Sequence, residues 1–299
     1  LNIDFTTATV TEIREKFLRG HKAYGGGNAA VIAENVSHTP KLGGVTIKAL
    51  GDLNTGPERG LDALGQSDWN NKRLGGTIVT REYYGPGSYR VVAKLPALTG
   101  LLSAFWMEHH EYGFPGTAVF DEHVSDGIAP IAVGGGRPYT VRHNSAGMEF
   151  PTALEDAEDV EVVDYKNGRF NSQRGINSNE LTKKIITHGE ELNDGLFHEF
   201  RFDWHTEGGG RVEFYIDGVL KETNTTTVPH IKGRLHVGLW FPSELTLWAG
   251  KEAAFIEELM VVKSISITRF NESSLTVGET YPNDGLCDFF VCKRMVRSA

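Results

Sequence analysis

The chain has 299 residues, of which 39% are hydrophobic and 23% are charged, and its formal net charge is −9 at pH 7. This composition is typical of a globular protein that can bury a full core. The acidity disfavours a nucleic-acid-binding role, because such proteins concentrate Lys and Arg to neutralise phosphates. No stretch of the sequence approaches the ~20 consecutive apolar residues of a membrane-spanning helix.

The first predicted element is a short helix near the N-terminus. Val10, Ile13 and Phe17 recur at helical spacing, so they would share one face of the helix. Thr9 and Thr11 are both suitable capping residues for its first turn. The sequence therefore predicts one short helix ahead of the first strands.

Alternation of apolar and polar residues predicts a series of strands through the rest of the chain. They cover 45–50, 77–81, 88–96, 101–107, 141–152, 160–165, 169–171, 197–204, 211–216, 219–223, 234–241 and 258–267. Asp217-Gly218, between two of these strands, is the dipeptide typical of a two-residue hairpin turn. Roughly a dozen strands without intervening helices predict an all-β sandwich of two antiparallel sheets.

Two long segments rich in glycine and polar residues are predicted as loops, at 51–74 and 108–140. Loops as long as the second one are usually functional when they occur inside a compact domain. The strands predict one domain over 25–270, with an N-terminal extension at 1–24 and a C-terminal tail at 271–299.

The C-terminal tail carries apolar and basic residues that would need a partner surface, so we expect any protein partner to dock there. It also holds the chain's two cysteines, Cys287 and Cys292, which either form a small disulfide or stay reduced. The chain starts at Leu1 rather than Met, which suggests a processed, targeted protein of the secreted or organellar kind. The compartment itself stays open.

Several segments of the chain carry a family resemblance through their joint order. They are 25–28, 75–81, 89–96, 103–106, 197–204, 212–218 and 238–241. In this order they resemble glycoside hydrolase family 16, which includes laminarinases, lichenases, agarases and xyloglucan transglycosylases. The resemblance implies a concanavalin A-like β-jelly-roll and the scaffold of a retaining endo-β-glycanase, with a cleft across the concave sheet.

The resemblance also implies that the strand at 141–152 is the catalytic strand. The family's motif is Glu-x-Asp-x-Glu, in which the outer acids are nucleophile and acid/base and the central acid supports the nucleophile. Here Ser145 stands at the nucleophile position, Gly147 at the central position and Glu149 at the acid/base position. A serine hydroxyl needs a base for activation, and the motif offers none on that strand face. We therefore expect the ordinary retaining hydrolysis to be lost.

Four other residues stand where the family contacts sugar: Asn28, Arg81, Trp106 and Trp240. Aromatic rings stack on sugar faces, and Asn and Arg can bond to hydroxyl groups, so these residues would bind a β-linked polysaccharide. For the two tryptophans the alternative is core packing, because each is flanked by apolar residues.

Three functions follow as hypotheses. The first is a catalytically inactive family-16-like protein, a pseudoenzyme that serves as a structural or interaction subunit or as a carbohydrate-binding module. The alternative is an active retaining endo-β-glycanase with a non-standard nucleophile, for which Asp121, Glu122 and Asp126 are candidates. The third is a pure lectin.

No cofactor or metal site is expected. Glu108, His109, His110 and Glu111, with the acids and histidine at 121–123, resemble a metal cluster. However, their spacing does not place ligands on one face of an element, so we interpret them as a solvated charged loop. A structural calcium on the convex face occurs in relatives, so the resemblance makes one possible here, but the sequence does not identify its ligands.

Overall fold

The computed structural model describes residues 1–23, 29–57, 72–98, 100–113, 139–151, 154–155, 161–162, 167–173, 181–242, 252–274 and 286–287. These residues form one α-helix, α1 (Val10–Lys16), and two 3-10 turns, at Ala33–Asn35 and Pro40–Leu42. The rest of the regular structure is β-strand, so the fold is all-β, as predicted.

The described residues contain twenty strands. In chain order they are β1 (Asn2–Asp4), β2 (Phe17–Gly20), β3 (Lys22–Ala23), β4 (Ala29–Val31), β5 (Val36–Thr39), β6 (Gly44–Leu50), β7 (Arg73–Thr80), β8 (Gly87–Lys94), β9 (Leu102–Gly113), β10 (Tyr139–Pro151), β11 (Leu154–Glu155), β12 (Glu161–Val162), β13 (Asn167–Gln173), β14 (Leu181–Thr187), β15 (His198–His205), β16 (Arg211–Ile216), β17 (Val219–Asn224), β18 (Arg234–Trp240), β19 (Glu257–Arg269) and β20 (Leu286–Cys287).

Most of the strands pair into two antiparallel sheets. Sheet I has the order β5-β6-β19-β8-β15-β16-β17, and β1 pairs with a further part of β19. Sheet II has the order β20-β2-β7-β18-β9-β10-β13-β14. The two sheets meet at β7, which pairs antiparallel with β6 and parallel with β4. This arrangement confirms the predicted two-layer sandwich.

Aromatic residues of both sheets pack together in the core. Phe105 of sheet II stacks on Phe200 of sheet I with ring centroids 4.5 Å apart, and Phe150 lies 5.0 Å from the same ring. Tyr89 and Phe202 stack at 4.7 Å within sheet I. All five rings are buried, and each buried ring of this size contributes roughly 1.5–3 kcal/mol. This core fixes which residues of β9 and β10 face inwards, and therefore which face away from it.

Helix α1 confirms the predicted N-terminal helix. Its N-cap is Thr9, whose hydroxyl accepts the Glu12 backbone N–H at 3.2 Å, while the Glu12 carboxylate accepts the Thr9 backbone N–H at 2.7 Å. This reciprocal pair is a capping box. Ile13 is fully buried. Phe17, which was predicted on the same helix face, instead begins strand β2.

The predicted hairpin between β16 and β17 is confirmed. Asp217 and Gly218 have φ angles of 48° and 78°. A two-residue turn of this kind requires positive φ at both central residues, because its twist then matches that of the strands it joins.

The two predicted loops are shorter than expected. Strand β9 continues through Gly113 and β10 begins at Tyr139, so the loop prediction is wrong for 108–113 and for 139–140. The loop prediction at 51–74 is wrong at its end, because β7 begins at Arg73. In both places a neighbouring strand supplies backbone partners, which a local sequence pattern does not reveal. Within these two loops, residues 58–71 and 114–138 lie outside the described residues.

The N-terminal residues take part in both sheets. Strand β1 pairs with β19 of sheet I, and β2 pairs with β7 of sheet II. Phe5 and Phe17 are buried in the core between the sheets. In the part of the chain that the structure describes, no helix is long and apolar enough to cross a bilayer.

Candidate functional site

The face of sheet II that points away from the core, called here the outer face of sheet II, is built by the pairing of β9 with β10. Three cross-strand pairs form its centre: Ser145 opposite Glu108, Gly147 opposite Trp106, and Glu149 opposite Ala104. Residues directly opposite each other on antiparallel strands point to the same side. The residues that alternate with them are buried in the core.

Strand β10 carries, on this face, the three positions that the sequence resemblance assigns to the catalytic motif. Ser145, Gly147 and Glu149 stand two residues apart, so all three point away from the core. Ser145 and Glu149 are partly exposed, and Gly147 is buried. The face therefore presents one carboxylate from β10, with a hydroxyl four residues before it.

Gly147 lies unusually close to strand β9. A Cβ atom at this position would be 2.3 Å from the Cβ of Trp106 and 2.7 Å from the carbonyl oxygen of Phe105. Cross-strand Cβ atoms normally lie about 4.5–5.5 Å apart. Any side chain at 147 would thus require the two strands to separate. The backbone thus disfavours a side chain at the position where the resemblance expects the central acid.

Trp106, Glu108 and His236 form a group on the outer face of sheet II that is called here the Trp106 cluster. Trp106 stacks on His236 with ring centroids 4.9 Å apart and planes 21° apart. The Trp106 Nε1–H donates to Oε2 of Glu108 at 2.9 Å, and Nε2 of His236 lies 3.9 Å from the same oxygen. Both rings are only 8% exposed. The cluster holds the Glu108 carboxylate in a defined direction, towards Trp106.

The sequence interpretation of 108–111 as a solvated charged loop is wrong. These residues belong to β9, and the Glu108 side chain is 11% exposed. His109 is 1% exposed, and its Nδ1 lies 3.0 Å from the carbonyl oxygen of Lys232. Among the residues that the structure describes, no three His, Cys, Asp or Glu side chains are grouped so as to hold a metal ion.

The structure describes three of the four residues expected to contact sugar. Trp240 faces the same side as Trp106, because β18 pairs with β9 and places Trp240 opposite Leu102. Its side chain is partly exposed. Arg81 follows β7, and its guanidinium Nε donates to the carbonyl oxygen of Arg14 in α1 at 2.7 Å. Asn28, and the alternative nucleophiles Asp121, Glu122 and Asp126, lie outside the described residues.

Glu108 and His236 are the site residues that sequence reasoning missed. One local signal was present, because Trp106 and Glu108 alternate with the core residues Phe105 and Met107. Their position beside Ser145 and Gly147 depends on the strand register, however, and the sequence alone does not provide that register.

The outer face of sheet I instead carries charged side chains that pair with one another. The guanidinium of Arg90 donates to the Glu199 carboxylate across β8 and β15, and Arg201 lies 3.8 Å above the Tyr215 ring. At one end, His198 is bonded to Asp217 at 2.7 Å and to Asp194 at 3.2 Å. Burial acts to lower the pKa of His198, but the bonds to the two carboxylates outweigh it and raise that pKa above its usual value.

Comparison with known proteins finds beta-glucanases similar to this chain in sequence and in structure. No protein-family model matches the chain. The chain is 27% identical to a beta-glucanase of Paenibacillus polymyxa over 184 residues, which cover 60% of this chain and 58% of that protein. The match thus spans little more than half of the relative. The Bacillus licheniformis beta-glucanase structure aligns with a TM-score of 0.59 and 20% identity, over 90% of this chain and 98% of that one.

The chain resembles beta-glucanases in sequence and glycoside hydrolase family 16 structures in fold. A family 16 structure from Bacteroides ovatus in complex with a mixed-linkage glucan product has a TM-score of 0.56 and 17% identity, over 90% of this chain and 99% of that chain. At this level of identity the solved structures establish the jelly-roll fold of the family-16-like chain. They confirm the family resemblance that the order of its sequence segments indicates.

Proposed function

We propose that this family-16-like protein binds a β-linked glucan across the outer face of sheet II and hydrolyses it. The observation that carries the proposal is the position of Glu149, on the same strand face as the two motif positions before it and close to the Trp106 cluster. The beta-glucanase names of the relatives, and the glucan product in the Bacteroides ovatus complex, favour a β-glucan as ligand.

In this proposal Glu149 is the general acid. It protonates the glycosidic oxygen as the bond to the anomeric carbon breaks, a role that typically contributes about 10²–10⁴ in rate. The second role of the reaction has to come from outside β10. Ser145 is not a carboxylate, and Gly147 has no side chain.

The proposal is tested by turnover. The protein is incubated with mixed-linkage β-1,3-1,4-glucan and with β-1,3-glucan, and new reducing ends are measured. We expect release by the unmodified protein and a loss of about 100-fold or more in Glu149→Gln, because the amide cannot donate the required proton. The matched control is Glu257→Gln, which removes a carboxylate of sheet I that pairs with Lys48 and should leave the rate unchanged. Absence of turnover by the unmodified protein would contradict hydrolysis.

A second candidate function is glucan binding without turnover, either as a carbohydrate-binding module or as a subunit that docks on a protein partner through its tail. The observations in its favour are Ser145 and the close approach of β9 at Gly147. It predicts binding of glucan oligosaccharides in calorimetry with no change in reducing ends. Trp240→Ala should then weaken binding while the thermal unfolding temperature stays the same. Equal binding by both proteins would contradict a lectin site at Trp240.

A further inference from the structure

We propose that Asn271 is a site of N-glycosylation, at which an oligosaccharide is joined to the side-chain nitrogen. The sequence contains three Asn-x-Ser/Thr sequons, which begin at Asn35, Asn224 and Asn271. A sequon accepts a glycan when it lies on the surface of a protein in the secretory pathway. The sequence pattern is the same at all three, whereas their surroundings in the fold differ.

Asn35 is excluded by burial and by its hydrogen bonds. It is 5% exposed, and its Nδ2 donates to the carbonyl oxygens of Leu74 at 2.8 Å and Gly75 at 3.0 Å. These two bonds use both N–H groups of the carboxamide. A glycan would replace one of those hydrogens and place a sugar in a close-packed interior. Glycosylation at Asn35 is therefore incompatible with this fold.

Asn224 is excluded for a similar reason. It is the last residue of β17 and is fully buried. Its Nδ2 lies 3.4 Å from the carbonyl oxygen of Phe170 in β13, so the carboxamide connects sheet I to sheet II. A sugar on this nitrogen would break the connection and force the two strands apart.

Asn271 lies in the segment that follows β19, at one end of sheet I. It is exposed, and so is Ser273, the third residue of its sequon. The hydroxyl of Thr206 donates to the backbone carbonyl oxygen of Ser273 at 2.6 Å, so that bond does not use the Ser273 hydroxyl. Both side chains that define the sequon are therefore accessible.

The residues on either side of Asn271 are anchored to the end of β15. Phe270 stacks on His205 with ring centroids 4.6 Å apart. The Glu272 carboxylate accepts the Thr206 backbone N–H at 2.6 Å and bonds to Nδ1 of His205 at 2.7 Å. Phe270 and Glu272 are partly buried, and Asn271 between them is exposed. The two anchors thus present the Asn271 side chain to solvent.

The modification uses a lipid diphosphate-linked oligosaccharide as the sugar donor. Nδ2 of Asn271 forms a bond to the anomeric carbon of the first sugar, while the bond between that carbon and the diphosphate oxygen breaks. The lipid diphosphate leaves with the bonding electron pair, and one Nδ2 proton passes to a base of the oligosaccharide transferase. Since Asn271 lies at the end of sheet I, the glycan leaves the outer face of sheet II open to a β-glucan.

The test is site mapping on the full chain, produced through the secretory pathway of a eukaryotic host. Folded protein is treated with peptide N-glycosidase in heavy-oxygen water, which converts each glycosylated Asn to labelled Asp, and its peptides are analysed by mass spectrometry. We expect labelled Asp at position 271 alone, and a faster gel mobility after treatment. Asn271→Gln and Ser273→Ala should each abolish this mobility change. The matched control is Ser274→Ala, which removes a hydroxyl just outside the sequon and should keep it.

The outcomes distinguish the three sequons. An unlabelled Asn271 in the folded protein would overturn the proposal, and so would label at Asn35 or Asn224. Ser273→Ala removes the sequon by a second route, so the test holds even if Asn271→Gln fails to fold. Glucan binding, measured by calorimetry, should be the same before and after glycan removal. A change in affinity would contradict a glycan placed away from the outer face of sheet II.

Discussion

The outer faces of the two sheets hold their charged side chains in different ways. On sheet I, polar residues pair with one another, as Arg90 does with Glu199, and these two side chains are 53% and 19% exposed. On sheet II, polar residues lie among aromatic rings, and Glu108 is 11% exposed. Exposed ion pairs contribute little to stability because water competes for both partners. A carboxylate with little exposure stays in place only if the surrounding side chains satisfy it. The second arrangement is the one suited to a ligand site.

The largest loss of stability is expected from a substitution on sheet II. Gly147→Asp restores the central acid of the family motif but places Cβ 2.3 Å from the Cβ of Trp106. We expect the free energy of unfolding to fall by about 3 kcal/mol, the upper end of overpacking costs, because the strands must separate. Urea unfolding measures this loss. Gly56→Ala is the control, since a Cβ there meets only the Asn54 side chain, at 3.2 Å or more, and it should change stability by less than about 0.5 kcal/mol.

A smaller loss of stability is expected when His236 is replaced. His236→Ala removes the ring on which Trp106 stacks and should cost about 1–2 kcal/mol in urea unfolding. His236→Phe keeps an aromatic partner for Trp106 and should recover most of that loss. An equal loss in both variants would show that the imidazole nitrogen, and not the stack, stabilises the cluster.

The smallest contribution to stability is expected from His198 on sheet I, and it depends on pH. Because the pKa of His198 is raised in the folded protein, its charged form is stabilised by Asp217 and Asp194. That stability is complete below the unfolded pKa of about 6.5 and is lost as pH rises through the folded pKa. Since Asp217 is 44% exposed, the contribution should stay below about 1 kcal/mol.

Thermal unfolding checks this pH dependence. His198→Gln should lower the unfolding temperature more at about pH 5.5 than at about pH 8.5. A difference that is constant with pH would mean that His198 acts only through packing and neutral hydrogen bonds.

Strands β8, β15 and β16 of sheet I were predictable because each alternates between buried and more exposed residues. Phe200, Phe202 and Trp204 face the core, and the residues between them are polar, so β15 is evident from its own sequence. The hairpin at Asp217 was predictable for a similar reason, since its φ angles suit few other residue pairs. Local preference and tertiary structure agree in these elements.

The centre of sheet II was less predictable. The run of polar residues from Glu108 to Glu111 looks like a loop, and it is a strand because β10 pairs with all of it and β18 pairs with Glu108. Strand β14 (Leu181–Thr187) escaped prediction because consecutive lysines interrupt its alternation. The absence of a carboxylate at Ser145 and Gly147 was visible in sequence. The carboxylate opposite Ser145 was not, because register is a long-range property.

The approach of β9 to Gly147 also governs the order in which the acids of the family motif could be introduced into this protein. A carboxylate introduced at Ser145 meets an adjacent position that accepts no side chain until the β9–β10 spacing widens. Introducing both acids would thus include one destabilising replacement, at Gly147. Directed evolution of a retaining activity should accordingly begin with substitutions that relax the two strands, and only later introduce the acids.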